Sequence, residues 1–549
     1  MKKLWITALA LASTVAVPQA RAFCGFYVGG SGESLSNDAT VVVLLRDGTK
    51  TVLSMQNNYQ GPPESFAMVV PVPEVLDEER VKTLPRDIFQ RVDQMAAPRL
   101  VEYWEQDPCA LPMPRSIAAN QGPTRMATGS RAEAAAAADL GVTIEAEFEV
   151  AEYDIVILSA RDSAGLDTWL RREGYHIPAN AEPLLRPYVE SDSKFFVAKV
   201  DISKVQYANV CPDAPDDDMP PHCRQIVLSP LRFHYDSDQL ALPIRLGLMN
   251  ADGPQDLVVH ILARNQRYEV ANYPNVTIPT NIDVDKTMKN RFGEFYAALF
   301  DETLARNPGA VITEYSWQAT SCDPCPGPQL GYQEIFTLGG DVVSHTEVAI
   351  GGPGGFRGRR PAFFGGNDYV LTRLHARYDA GSVGEDLVFR AAPPIVGGRE
   401  VHGDDGELER GALPSSSNNF QGRYAIRHEW TGPIECAEPR RGIWGGPPGG
   451  MPSQPAAARN TAFAPRGGLQ LAEVVRSSVP SLGLSGLAAL NPVPADPHMT
   501  EMSTDTPPTM ATPTSTASSG CSCRAPGSAG GAPVLALFFI VGVVLTRRR

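Results

Sequence analysis

The sequence predicts an α+β fold: mainly antiparallel β-sheets with a few helices, in one large domain or two packed lobes, followed by a disordered stalk and a C-terminal apolar helix. Three observations carry that prediction. Short runs of alternating or continuous apolar residues recur from Ala39 onward, bounded by Gly, Pro and Asp-Gly turns. One long stripe, with Val284, Met288, Phe292, Phe295, Leu299 and Leu304 at three-to-four spacing, predicts a helix over 283–306 and excludes a pure sandwich. After Trp444 the composition turns to Gly, Pro, Ser and Thr, which have little to bury.

Taken in order, 39–45 and 51–55 flank Asp47-Gly48 and read as a hairpin, because such a turn needs the positive backbone angles that glycine supplies. Residues 66–72 follow as an apolar strand. Residues 85–106 read as a helix with Ile88, Val92 and Met95 on one face, broken or kinked at Pro98. An alanine-rich segment, 131–140, reads as a short helix or an insertion. Ile144, Ala146, Phe148 and Val150 alternate with three glutamates, the pattern of a half-buried strand with an acidic outer face. A strand over 153–159 precedes a helix over 162–174, and further strands are expected over 194–202, 225–235, 240–249 and 256–264. Asn307-Pro308-Gly309 ends the long helix, and 334–338, 369–378 and 424–430 complete the predicted strands.

The two ends speak to location. Lys2 and Lys3, an apolar run to Val17 and Ala20-Arg21-Ala22 have the layout of a secretory signal peptide, with cleavage expected between Ala22 and Phe23. The domain reading is therefore 1–22 signal peptide, 23–445 extracytoplasmic body, 446–519 linker and 520–549 a sorting or transmembrane segment. A formal net charge of −14 argues against nucleic acid as a partner. Export makes disulfides the default state of the nine cysteines. Setting aside Cys521 and Cys523 leaves seven, so at least one is unpaired within the chain; Cys24, Cys109, Cys211, Cys223, Cys322 and Cys325 are the disulfide candidates.

Several stretches resemble the DUF2330 family of exported bacterial proteins. They are Cys24-Gly25, QNNYQGPPESFAMVVPVP (56–73), EYDIVILSA and LDTWLRREGY (within 152–175), LSPLRFHYDSDQLALPIRLGLMNADGPQDLVVHILA (228–263) and RYEVANYPNVTIPTN (267–281). The resemblance implies a fold unit and an exported location, and no catalytic residues, because the family carries no established activity. The tail is similar to the MYXO-CTERM sorting domain: a cysteine motif at 520–524, an apolar stretch at 533–545, and Arg547, Arg548 and Arg549. That similarity implies recognition by a membrane protease, processing near Cys521 and Cys523, and transfer to the cell surface. A plain tail anchor is the alternative. The arginines stay cytoplasmic by the positive-inside rule.

Candidate chemistry is thin. Cys322-Asp323-Pro324-Cys325 is a C-x-x-C motif, but Pro326-Gly327-Pro328 follows it where a redox motif wants a helix N-terminus, so a structural disulfide is favoured. Cys211, Cys223, Cys322 and Cys325 could also ligate zinc, although their spacing matches no finger. Asp216-Asp217-Asp218 lacks the alternation of an EF-hand and reads as a solvated turn. The glycine-, arginine- and aromatic-rich stretch 351–368 reads as a loop. No G-x-S-x-G, H-E-x-x-H or phosphate-binding loop occurs, and His234, His260 and His375 fall within strands, where hydrogen-bonded sheet positions are expected. No cofactor is predicted. The function expected is that of an exported, surface-anchored envelope or interaction module, leaning away from an enzyme. An exported hydrolase with an unrecognised site and a disulfide- or zinc-stabilised metal protein are the alternatives. Its predicted partners are the membrane, through the C-terminal segment, a sorting protease and an unidentified extracellular ligand.

Overall fold

A computed structural model describes residues 26–29, 36–60, 66–110, 142–173, 177, 181–209, 224–250, 253–323, 325–343, 347–350, 358–361, 368–382, 384–400, 408–447, 456–457 and 464–485. The chain divides into two compact units, 1–493 and 494–549, and every described residue lies in the first.

Two sheets pack face to face. In the larger, Ser36–Asp47 and Lys50–Gln60 form the predicted hairpin, with Gly48 at φ 59° in the turn. Gln255–Arg264 runs parallel to the first of these strands and antiparallel to Tyr369–Tyr378, which pairs in turn with Val311–Gln318. Phe66–Val72, Lys194–Val200, Tyr153–Ala160 and Val142–Val150 form the smaller, antiparallel sheet, with Phe26–Gly29 on its edge. Val42, Leu44, Leu53 and Phe233 of one sheet meet Met68, Val70, Ile155 and Phe196 of the other in one core, and the Phe196 and Phe233 rings stack 5.1 Å apart. The helices Ser163–Arg172 and Ala181–Glu190 cover the outer face of the small sheet. On the outer face of the large sheet lie Asp87–Ala96 and Phe292–Arg306. Six α-helices stand among the described residues, so the mainly β, α+β class expected from the strand pattern is the class observed.

Several element boundaries differ from the expectation, each for a local reason. The helix expected over 85–106 ends at Ala96; Ala97, held extended before Pro98, stops it, and Arg99–Glu105 becomes a strand parallel to Arg423–His428. The long helix begins only at Phe292. Before it, Ile282–Asp283 pairs with Tyr424 and Ala425, and Asp285 caps a short 3-10 turn by accepting the Thr287 amide. Residues 334–338, expected as a strand, are helical, and the Glu334 carboxylate reaches back to the Gly331 amide. The runs over 225–235 and 240–249 break at Ser229-Pro230 and Pro243, leaving shorter strands and a 3-10 turn at Arg245–Asn250.

The largest difference concerns the linker assigned to 446–519. Residues 464–485 form a strap packed on the body, with Leu471, Val474, Val475, Val479 and Leu482 buried against the Phe292–Arg306 helix. The apolar residues near 469–475 and 479–484, sparse among Gly, Pro and Ser, are sufficient because each reaches an existing core. No described helix is long and apolar enough to cross a membrane. The signal segment, 131–140 and the tail at 520–549 lie outside the described residues.

Candidate functional site

Strand alternation places two different sets of side chains on the central strands. Leu257, Val259, Ile261, Leu374 and Ala376 enter the inter-sheet core. The intervening positions, Asp256, His260, Arg373, His375 and Arg377, face the helices instead. A register shift in Val311–Gln318 falls at Glu314, the extra residue between Thr313 and Tyr315. Such a bulge re-aims a side chain, and here the Glu314 carboxylate joins the same layer. Its backbone carbonyl is satisfied by the Gly422 amide at 2.8 Å.

The result is a buried chain of alternating charges. Arg373 Nη1 meets Asp93 of the Asp87–Ala96 helix, and Arg373 Nε donates to Glu314 at 2.6 Å. The other Glu314 oxygen lies 3.0 Å from His375 Nδ1, and His375 Nε2 lies 3.1 Å from Asp256. Asp256 also accepts from Arg377 and, at 2.9 Å, from Arg466 of the strap, which reaches on to Asp301. Phe300 stacks on the His375 ring at 3.9 Å, and the Tyr296 hydroxyl sits 3.0 Å from Nδ1.

Burial pushes the His375 pKa down, but Glu314 and Asp256, one at each ring nitrogen, more than reverse this and raise it. His260 takes the opposite course: burial, reinforced by the nearby Arg373 guanidinium, drives it well below the ordinary range. Glu314 is held down despite burial by Arg373 and His375. Buried groups whose pKa is shifted by specific charge partners are candidates for chemistry. Here, however, Glu314, Arg373 and His375 are completely or almost completely buried, and each is occupied by a partner of opposite charge. The array can hold protons and bind the layers together; Glu314, Arg373 and His375 at its centre are closed off from solvent, while Arg377 and Asp301 at its rim are partly exposed.

An open cleft of 540 Å³ lies nearby, where several separate stretches of the chain meet. The C-terminal end of the Phe292–Arg306 helix supplies Thr303 and Arg306, the strap supplies Ser481 and Leu482, and Arg267, Glu269 and Arg410 add charge. Ile395, Ala412 and Pro414 give one wall an apolar character. Each arginine is anchored through a main-chain carbonyl: Arg267 by Pro393, Arg306 by Leu482 at 2.7 Å, and Arg410 by Asn281. No histidine or cysteine is among the described lining residues.

Of the residues singled out from sequence, the structure joins Cys322 to Cys325, with Cα atoms 5.0 Å apart, and Cys109 to Cys436, 5.5 Å apart across 327 positions. Cys436 was not among the six disulfide candidates; its position in a Pro- and Glu-rich segment carries no pairing signal. As a disulfide, Cys322 and Cys325 present no thiolate to a metal, and no group of metal-ligating side chains occurs among the described residues. His234, His260 and His375 all lie in strands. Ala22, Phe23, Cys24, Cys211, Cys223, Asp216–Asp218, Cys521, Cys523, Arg547, Arg548 and Arg549 lie outside the described residues, as does most of 351–368. The charge array and the cleft were both missed. Arg373, His375 and Arg377 at alternate positions of Tyr369–Tyr378 were the available signal for the first; the cleft, built from several separate segments, left none.

Fold and site thus define a helix-covered body, built on two facing sheets with smaller sheets beside them, that holds a largely buried ionic layer and a cationic cleft. A family model described as an uncharacterized protein conserved in bacteria, DUF2330, matches residues 18–390, more than half of the chain. The chain belongs to the DUF2330 family. No curated protein and no solved structure matches it.

Proposed function

We propose that this protein is an exported, cell-surface-anchored interaction module that carries out no reaction of its own, its body displayed on the segment after residue 485 and its contact site the 540 Å³ cleft. One observation carries the reading. The acid and base groups at Asp256, Glu314, Arg373 and His375 are spent on one another inside the core, while the open cleft has polar binding groups and no acid–base or nucleophile–base pair among its described residues. The two disulfides support an oxidising compartment, in keeping with the signal-like N-terminus. The MYXO-CTERM-like tail supplies the anchor, with Cys521 as the residue retained after processing by a sorting protease.

The location is tested by surface protease shaving and fractionation of cells expressing the full chain and a Cys521→Ala/Cys523→Ala variant. The expected result is a surface-exposed, C-terminally processed protein and a variant that remains unprocessed in the inner membrane. A variant that still reaches the surface and is normally processed would exclude the sorting role.

A further inference from the structure

We infer that the cleft binds a small oxyanion-bearing molecule on a hydroxylated frame, with the carboxylate or phosphate seated against the guanidinium groups of Arg267, Arg306 and Arg410. This rests on the reading of the body as an interaction module and names its ligand. The cleft volume, 540 Å³, falls in the range of roughly 300–1,000 Å³ that small-molecule sites occupy. Among the described lining residues three are arginines and one, Glu269, is a carboxylate. Glu269 is moreover shared between Arg267 and Arg390, so it does not neutralise Arg267 alone.

The way the arginines are held matters as much as their number. A backbone carbonyl fixes the direction of a guanidinium without cancelling its charge. Arg267 and Arg306 each donate to such a carbonyl, as Arg410 does among its contacts, and a guanidinium has five N–H groups to distribute. Planar guanidiniums held in fixed directions suit the bidentate capture of carboxylate and phosphate. The ion pair of Arg306 with Glu302 is a surface pair on the same helix, with both side chains about two-fifths exposed, and such pairs compete weakly. The partial negative charge of the helix C-terminus works against an anion, and Arg306 in the last turn offsets it. Thr277 and Ser481 add hydroxyl-bearing side chains to the lining, while Thr303 donates its hydroxyl to the Leu299 carbonyl, and Ile395 and Leu482 provide apolar contact. That combination matches a polyhydroxylated acid better than a hydrocarbon or a neutral sugar.

Titration calorimetry on the full, detergent-solubilised chain with its disulfides intact tests this with glucuronate, glucose 6-phosphate, inorganic phosphate and glucose. Binding of an oxyanion probe at about 1 mM or tighter, with no heat from glucose, is expected. Arg306→Gln should weaken it on the order of tenfold. Ser481→Glu, which places a carboxylate on the cleft wall at an exposed position, should do the same while retaining the wild-type melting temperature. Sugar acids binding more tightly than phosphate identify the hydroxylated frame as part of the ligand; equal affinities identify a free oxyanion as its source. The inference is overturned if no probe binds, if glucose binds as well as the acids, or if neither substitution changes the affinity. Proton NMR of the same mixtures separates the two readings. Chemical conversion of a bound probe would exclude a non-catalytic module and leave the cleft standing, whereas absence of binding would remove the cleft and leave the surface reading intact.

Discussion

His375 faces a carboxylate at each ring nitrogen, Glu314 at 3.0 Å and Asp256 at 3.1 Å, and both contacts are strongest when the ring carries its second proton. Its raised pKa has a definite consequence for stability. Relative to an unfolded histidine near 6.5, the folded state holds the proton more tightly, so the contribution is fully present below about pH 6.5 and is lost as pH rises through the higher folded value. Urea midpoints of the wild type should therefore fall between pH 7 and pH 9, above the range in which buried His260, with its lowered pKa, works in the opposite direction. His375→Gln removes the titrating group, so its unfolding free energy should be lower by about 3–5 kcal/mol, the cost of breaking a buried pair, and its midpoint nearly flat over that interval. An unchanged slope in the variant would place the titration elsewhere. Glu105 shows the opposite sign. Burial raises its pKa, but Arg441 and the amides of Gly442 and Trp430 overcome that and hold it at about 2. Its contribution exists above an unfolded value near 4.5 and disappears as pH falls toward 2. Glu105→Gln should cost about 1.5–3 kcal/mol at neutral pH and reduce the loss of stability between pH 4.5 and 2, followed by circular dichroism.

At the scale of elements, the Arg99–Glu105 strand shows why local reading stops short. Its sequence continues the apolar pattern of the preceding helix, and only Pro98 marks the change. The strand then depends on partners from the far end of the chain: Arg423–His428 beside it, Trp444 at its edge, and the Cys109–Cys436 disulfide beyond it. The 430–446 loop is held at Glu105 and at that disulfide. A Cys109→Ser/Cys436→Ser variant should lose about 2–5 kcal/mol in chemical denaturation and become cleavable by trypsin at Arg440 and Arg441 before the rest of the body is cut. Hairpins and amphipathic helices were legible because their signals are local: Asp47-Gly48 sets one turn, and the stripe from Phe292 to Leu304 sets one helix. The bulge at Glu314 and the pairing of Cys109 with Cys436 depend on residues tens to hundreds of positions away, and no periodicity encodes them, whereas the helical turn at 332–340 carries a local signal, Glu334 capping the Gly331 amide.

At the scale of the whole molecule, the 464–485 strap joins core, charge array and cleft. Leu471, Val474, Val475, Val479 and Leu482 complete the core around the Phe292–Arg306 helix. Arg466 supplies the last cation of the buried chain, to Asp256 and Asp301, and Ser481 and Leu482 form a wall of the cleft. Burial of such side chains is worth up to about 1.5–3 kcal/mol each, so losing five approaches the 5–15 kcal/mol that holds a typical domain together. A chain ending at residue 463 should therefore lose its cooperative thermal transition, whereas one ending at residue 490 should melt as the full chain does. Arg466→Met separates charge from packing: Asp256 keeps His375 and Arg377, so the cost should stay near 1.5–3 kcal/mol, with the strap made more sensitive to protease. If the 463 truncation melts like the full chain, the strap is an appendage and its apolar residues contribute no net stability. If it unfolds, the folded body extends to residue 485.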